Sequence, residues 1–204
     1  MSGIREENKR RTFESIVSAA SRCFAERGHA ATTIEMIASA AGVSPGTVYN
    51  YFGTKNAILG AVVTVDVEET WSAASDAVDL TADDPVDALM PAIAVYVDGI
   101  TALGPQVLTD VFRSGFHPAH SDLLDDLVSI DDRAILQITH AFERLQGAGL
   151  ASKHVDPGDA ANLLFSVIAV AMLTYMSVPD TTPGDVKAIV RRQFRLVFDG
   201  LGAS

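Results

Sequence analysis

TTIEMIASAAGVSPGTVYNYFGTK, residues 32–55, decides how this 204-residue chain is read. Two short segments of helical periodicity meet at Gly42, and each carries its own start signal. Thr32 or Thr33 can accept a hydrogen bond from an orphan backbone N–H of the first segment, and Thr32 with Glu35 fits a capping box. Ile34, Ile37, Ala38 and Ala41 fall on one face of that helix. Gly42 stands where the chain must leave it through a left-handed conformation, which glycine adopts without a Cβ penalty. Val43 plugs the corner, and Ser44 as N-cap with Pro45 at the first helical position opens a second helix over about two turns, residues 45–52.

Along that second helix Val48 and Phe52 are four apart and face inward, which leaves Gly46, Thr47, Tyr49, Asn50 and Tyr51 for the outer surface. Small, hydroxyl and amide groups suit the major groove of B-DNA, where Thr and Asn read base edges and Ser or Tyr hydroxyls hold phosphates. Lys55 begins the next helix, where its charge opposes the helix dipole but suits a nearby phosphate. The candidate DNA contacts are Thr32, Thr33, Ser44, Pro45, Gly46, Thr47, Tyr49, Asn50, Tyr51 and Lys55. A helical hairpin inside a larger bundle is the alternative, and the outward aromatic pair weighs against it.

Phe24, Gly28, Thr32, Thr33, Ile37, Ala38, Ala41, Gly42, Val43, Ser44, Gly46, Thr47, Tyr49, Tyr51, Phe52 and Lys55, spread over roughly residues 10–60, resemble the N-terminal signature of TetR-family transcriptional regulators. That family often has histidine where this chain has Tyr51, and a tyrosine can still donate to a phosphate. The resemblance implies an all-α fold with an N-terminal three-helix helix-turn-helix domain over residues 1–54 and a C-terminal helical effector-binding and dimerisation domain over 55–204. It implies a homodimeric repressor that is released from a palindromic double-stranded DNA operator by a small hydrophobic effector. No cofactor, metal or membrane enters that expectation.

The net charge of −11 would by itself repel DNA, but its distribution removes the conflict. Residues 1–60 hold seven basic and five acidic side chains, a net of +2, which leaves −13 on the remainder. A cationic head on an acidic body can approach a duplex only head first. The first helix, about residues 10–27, carries Phe13, Ile16, Val17, Ala20, Cys23 and Phe24 at helical spacing and ends at Gly28. Residues 4–11 read as a polar arm with three arginines and a lysine, ordered against DNA or disordered without it. The single cysteine, Cys23, excludes an intramolecular disulfide and sits in an apolar register. The chain opens polar and charged, so a cytoplasmic location is expected.

From Thr54 onward the pattern is helical, with breaks where Gly and Pro cluster: 54–80, 85–103, 105–116, 120–150 and 160–178, then a final helix around 186–201. Residues 160–178 are apolar enough to suggest a membrane span, but Asn162, Ser166, Thr174 and Tyr175 interrupt them, so a buried interface helix is expected. Val186, Ile189, Val190, Phe194, Val197 and Leu201 form an apolar stripe on the final helix. Two such helices would expose too much apolar surface in a monomer, which points to a dimer through Leu163, Val167, Val170, Val186, Ile189, Val190, Phe194 and Val197.

Candidate pocket residues are Trp71, Met90, Tyr96, Phe112, Arg113, Phe116, His117, His140, Phe165, Met172 and Tyr175, with Phe142 and Asp98 beside them. Each aromatic or methionine is equally readable as core, and each polar group as a satisfied structural pair. His117 and His120 flank Pro118 with no cysteine nearby, so zinc is not expected. No nucleophile elbow, HExxH motif or metal-spaced carboxylate set is present, and Asp122, Asp125, Asp126, Asp131 and Asp132 read as a solvated acidic face. The chain is not expected to be an enzyme. A regulator without an effector and a helical carrier or enzyme are the rival readings.

Overall fold

The computed structural model describes residues 2–115 and 121–200, with side chains over 5–65, 70–113 and 128–200. Among them the start and stop signals produce nine helices: α1 (Ser2–Ala31), α2 (Ile34–Ala41), α3 (Pro45–Phe52), α4 (Lys55–Asp76), α5 (Pro85–Thr101), α6 (Pro105–Gly115), α7 (Ser121–Ala148), α8 (Pro157–Ser177) and α9 (Pro183–Asp199). Proline stands at the start of α3, α5, α8 and α9, behind Ser44, Asp84, Asp156 and Thr182 as N-caps.

Two boundaries differ from expectation for identifiable reasons. α1 begins at Ser2, not near residue 10, because the supposed arm supports helix. Arg10 donates to Glu7 and Glu14, each at 2.8 Å, which are the three- and four-residue spacings that favour a helix. The regular part of α1 gives way at Gly28, whose φ of 78° and ψ of 159° are outside any helix. α4 ends at Asp76, short of Leu80, because the Asp79 carboxylate accepts from the Thr81 N–H at 2.9 Å and its hydroxyl at 2.6 Å and turns the chain.

The chain folds as two compact units, residues 1–66 with 103–127, and residues 67–102 with 128–204. Packing therefore extends the first unit into the start of α4 and adds α6, which lies on α1. In that unit Ile16, Val17, Ala20 and Phe24 of α1 are buried with Ile34, Ile37 and Ala38 of α2, Val48 of α3 and Ile58, Leu59 and Val62 of α4. The Phe13 and Phe52 rings stack at 5.1 Å, so both inward positions expected of α3 are used.

In the second unit α9 packs on α5 and α8. By length and composition α8 could cross a membrane, yet Ala160, Ala161, Leu164, Ile168, Ala171, Met172 and Tyr175 are buried within the unit. Gly99 is where α5 comes against α4: a Cβ there would lie 2.5 Å from Thr70 Oγ1. Ion pairs join α9 to α5 and its N-cap. Lys187 meets Asp98 at 2.8 Å, Arg191 meets Asp87, and Arg195 reaches Asp84 and Asp87, each at 3.1 Å.

Hydrogen bonding, foremost from the Asp87 backbone N–H and also from Arg195, lowers the Asp84 pKa from 3.8 to about 2. The folded pKa lies below the unfolded one, so the carboxylate contributes stability above about pH 4 and loses it as the pH falls toward 2. Asp84→Asn keeps the capping oxygen but not the charge. It is expected to lower the melting temperature at pH 7, with the gap to the native protein closing between pH 4 and pH 2 in calorimetric scans.

Candidate functional site

The turn between α2 and α3 is built from hydrogen bonds made at Gly42, Val43 and Ser44. Gly42 takes the left-handed conformation, φ 70° and ψ 29°, its N–H donates to the Ser39 carbonyl, and the Val43 N–H donates back to the Ala38 carbonyl at 3.0 Å. This is a Schellman closure. Two residues later the Ser44 hydroxyl accepts from the Thr47 N–H at 3.1 Å and starts α3. α3 is thus fixed at its origin, with Val48 buried beneath and Pro45, Gly46, Tyr49 and Asn50 exposed above. Tyr49 is 51% exposed, a large aromatic surface with no covering side chain.

The ten expected DNA contacts divide. Thr33, Ser44, Pro45, Gly46, Tyr49 and Asn50 lie on the exposed side of the motif, and Thr33 is the N-cap of α2, accepting from the Met36 N–H at 3.3 Å. Thr47 is half-buried, and its hydroxyl pairs with that of Ser44 at 2.9 Å. Thr32, not Thr33, is turned inward: it is 1% exposed and donates to the carbonyls of Gly28 at 2.9 Å and Cys23 at 3.1 Å, so its hydroxyl holds α1 together instead of facing a duplex. The Tyr51 hydroxyl donates to the Lys9 carbonyl at 3.3 Å, tying α3 to α1.

Lys55 departs furthest from expectation. Its ammonium donates to the carbonyls of His29 at 2.6 Å, Thr32 at 2.8 Å and Ala30 at 3.5 Å, and so caps the end of α1 rather than standing free for a phosphate. The neighbouring His29 ring has its Nε2 buried with no hydrogen-bond partner, and its pKa is lowered by that burial first and by the Lys55 charge second. Beside Asn50 and Tyr51 an open groove is lined by Glu6, Glu7, Lys9, Arg10 and Phe13 of α1. These α1 positions were missed as neighbours of α3, because the contact spans about forty residues and no local pattern announces it.

In the second unit Trp71, Ser75 and Val78 of the α4 side, Leu89, Ile93 and Tyr96 of α5, Gln137 and Ile138 of α7, Leu164 and Ile168 of α8 and Phe194 of α9 line a half-open cavity of about 40 Å³. Of the expected pocket residues it contains Trp71 and Tyr96, whose rings approach to 4.4 Å. The others lie elsewhere. Phe112 and Arg113 are exposed on α6 in the first unit, His140 is exposed on α7, and Met90 borders a hollow with Asp87, Lys187 and Arg191. Phe165 is half-buried outside the cavity, Met172 is core, and the Tyr175 hydroxyl donates to the Thr101 carbonyl at 3.4 Å. Phe142 is buried against Phe198, and Asp98 is satisfied by Lys187. Phe116, His117 and His120 lie outside the described residues.

The expected dimer residues divide in the same way. Leu163 is 50% and Val170 55% exposed, while Val167, Ile189 and Val197 are half-buried. Val186, Val190 and Phe194 are the correction: they are buried inside their own subunit, Phe194 at 1% exposure, because their side of α9 faces α5 and α8. Leu173 and Leu196, not named from the sequence, are exposed instead.

Residues 16–62 match the model of bacterial regulatory proteins, tetR family. The chain is similar to the HTH-type transcriptional repressor Rv3405c of Mycobacterium tuberculosis strain H37Rv, 49% identical over 49 residues, which are 24% of this chain and 26% of that protein. Its fold is similar to that of Thermus thermophilus FadR, a TetR-family transcriptional repressor solved in complex with lauroyl-CoA, with a TM-score of 0.70, 23% identity and coverage of 94% of this chain and 96% of that one. It is also similar to SmeT in a triclosan complex, with a TM-score of 0.68, 23% identity and coverage of 91% and 90%.

Lys55→Met keeps the aliphatic stem and removes the ammonium from three carbonyls. It is expected to cost about 2 kcal/mol in denaturant unfolding, the scale of hydrogen bonds to a charged group. Asn50→Ala, at an exposed position, should stay within about 0.5 kcal/mol of the native protein. Equal stability of the two variants would refute the capping role of Lys55.

Proposed function

We propose that this chain, whose N-terminal module belongs to the tetR family of bacterial regulatory proteins, is a homodimeric transcriptional repressor acting on chromosomal DNA in the cytoplasm. The observation that carries the reading is α3 itself: a short helix fixed at its first turn by Ser44 and from below by Val48, whose outer face offers Pro45, Gly46, Tyr49 and Asn50 to a groove. Asn50 supplies the bidentate donor and acceptor pair that suits adenine, and Tyr49 supplies a phosphate or sugar contact. Nothing bulky stands at Gly46, so the helix can lie close to the duplex.

The second copy is argued from α8 and α9. Leu163, Val170 and Leu173 on α8, with Leu196 on α9, are exposed apolar side chains that a partner would cover, and Ser166 between them is small enough to let helices approach. Two-fold pairing would present two copies of α3 and so favour an inverted-repeat operator. The modest positive charge of one head makes the second head necessary for useful affinity.

Release by a small apolar molecule completes the proposal. FadR with lauroyl-CoA and SmeT with triclosan support by analogy an effector with a large apolar part. Such a molecule acts only by binding the DNA-free geometry more tightly than the DNA-bound one. α4 supplies a route, since one continuous helix begins at Lys55 beneath the DNA-binding motif and carries Trp71 at the cavity. A regulator controlled by its own abundance is the second reading, favoured by how small the cavity is.

In fluorescence anisotropy with DNA flanking its own coding region, Tyr49→Ala should weaken binding about tenfold on every sequence, while Asn50→Ala should change the ranking of sequences. No salt-sensitive binding to any inverted repeat would refute the repressor reading. In sedimentation velocity the native chain should run as a dimer, and Leu163→Lys with Val170→Lys as a folded monomer. A native monomer would refute the interface.

A further inference from the structure

His29 follows the break in α1 at Gly28, and its imidazole lies edge-on to the Phe24 ring with centroids 5.2 Å apart. The Nε2 atom is buried and has no hydrogen-bond partner. The Lys55 ammonium donates to the carbonyl of this same residue at 2.6 Å, so a full positive charge is fixed close to the ring. A buried ring nitrogen with nothing to accept from it suits the neutral imidazole and not the imidazolium, in which both nitrogens are donors. A protonated histidine is ordinarily favoured at the end of a helix, where free carbonyls accept from it. Here the carbonyls at hand, those of His29, Ala30 and Thr32, already accept from Lys55.

We infer that His29 is a positioning residue for the DNA-reading motif: Lys55 keeps the carbonyls that close off α2 and α3 only while the His29 ring is neutral, and protonation of the ring loosens the motif and weakens DNA binding. This role rests on the repressor reading above and adds a control to it. Protonation sets a second cation beside the first, and both then compete for one group of carbonyls. Because Lys55 is also the first residue of α4, loss of its contact unfastens the end of the segment that carries α2 and α3. Two groups favour the charged ring, Asp110 on α6, the helix that packs on α1, and a hydrogen bond with the Lys55 backbone. Burial first and the Lys55 charge second outweigh them, and the pKa lies below 6.5. Glu26 and Arg27 on α1 and Glu35 on α2 are exposed. A base whose pKa is lower in the folded chain than in the unfolded one contributes stability above the unfolded value and loses it as the pH falls through the folded value, so the effect belongs to acidification below about pH 6.5.

The exposed His140 and His154 gain positive charge over the same range, which strengthens attraction to a polyanion, so the two influences have opposite signs. The full-length protein is compared at pH 7.5 and pH 5.5 at one ionic strength, by fluorescence anisotropy with DNA flanking its own coding region and by urea unfolding. Acidification is expected to weaken DNA binding by the native protein about fivefold and to lower its urea midpoint. His29→Phe keeps a ring against Phe24, and His29→Gln keeps polar atoms without a titratable group. In both, affinity at pH 5.5 should equal or exceed that at pH 7.5, and the midpoint should hold. Unchanged or tighter native binding at pH 5.5, or the same acid loss in either variant, overturns the role of His29. A native urea midpoint that falls no further than those of the variants overturns it independently of DNA, whereas absence of DNA binding at both pH values overturns the repressor reading instead.

Discussion

The Lys55 ammonium meets the carbonyls of His29 and Ala30 in the last turn of α1 and of Thr32 in the link to α2. Helix ends leave carbonyls unpaired, and a cation there satisfies them and complements the dipole. Because Lys55 is the first residue of α4, the same contact fixes where that helix starts. The chain between, which holds α2 and α3, is then closed at both of its ends. Burial first and the adjacent Lys55 charge second lower the pKa of His29 beside it.

The second unit solves a different problem, that of an acidic surface. Asp84, Asp87 and Asp98 would repel one another along one side of the protein, and α9 answers them with Lys187, Arg191 and Arg195. Isolated surface pairs contribute little, but here two arginines and a lysine on one helix bind three carboxylates on and before another. Beneath them Val186, Val190 and Phe194 supply the apolar contact.

Much of this was legible because the signals are local. Gly42, Ser44 and Pro45 announce a turn through residues within a few positions of one another, and the structure realises each at the place expected. The use of Lys55 was not legible, because its partner carbonyls lie more than twenty residues back and the fold alone brings them to it, and for Thr32 nothing in the pattern tells which of two adjacent threonines turns inward. The same limit governs α9: its stripe was visible, but periodicity shows that a face is buried and not whether its own chain or another covers it. The pocket was hardest. Aromatic residues on several helices were all candidates, and among the described residues only Trp71 and Tyr96 share a cavity, since meeting in space depends on helix packing across the unit.

The cavity beside Trp71 has a mechanical consequence. Space that packing leaves unfilled disappears when the surrounding helices separate, and the pocket beside Trp71 adds to the volume change that pressure acts on in unfolding. Hydrostatic pressure would therefore favour opening of the helices that line the void. A molecule lodged in the void would remove that susceptibility, so compressibility and occupancy are coupled in this protein.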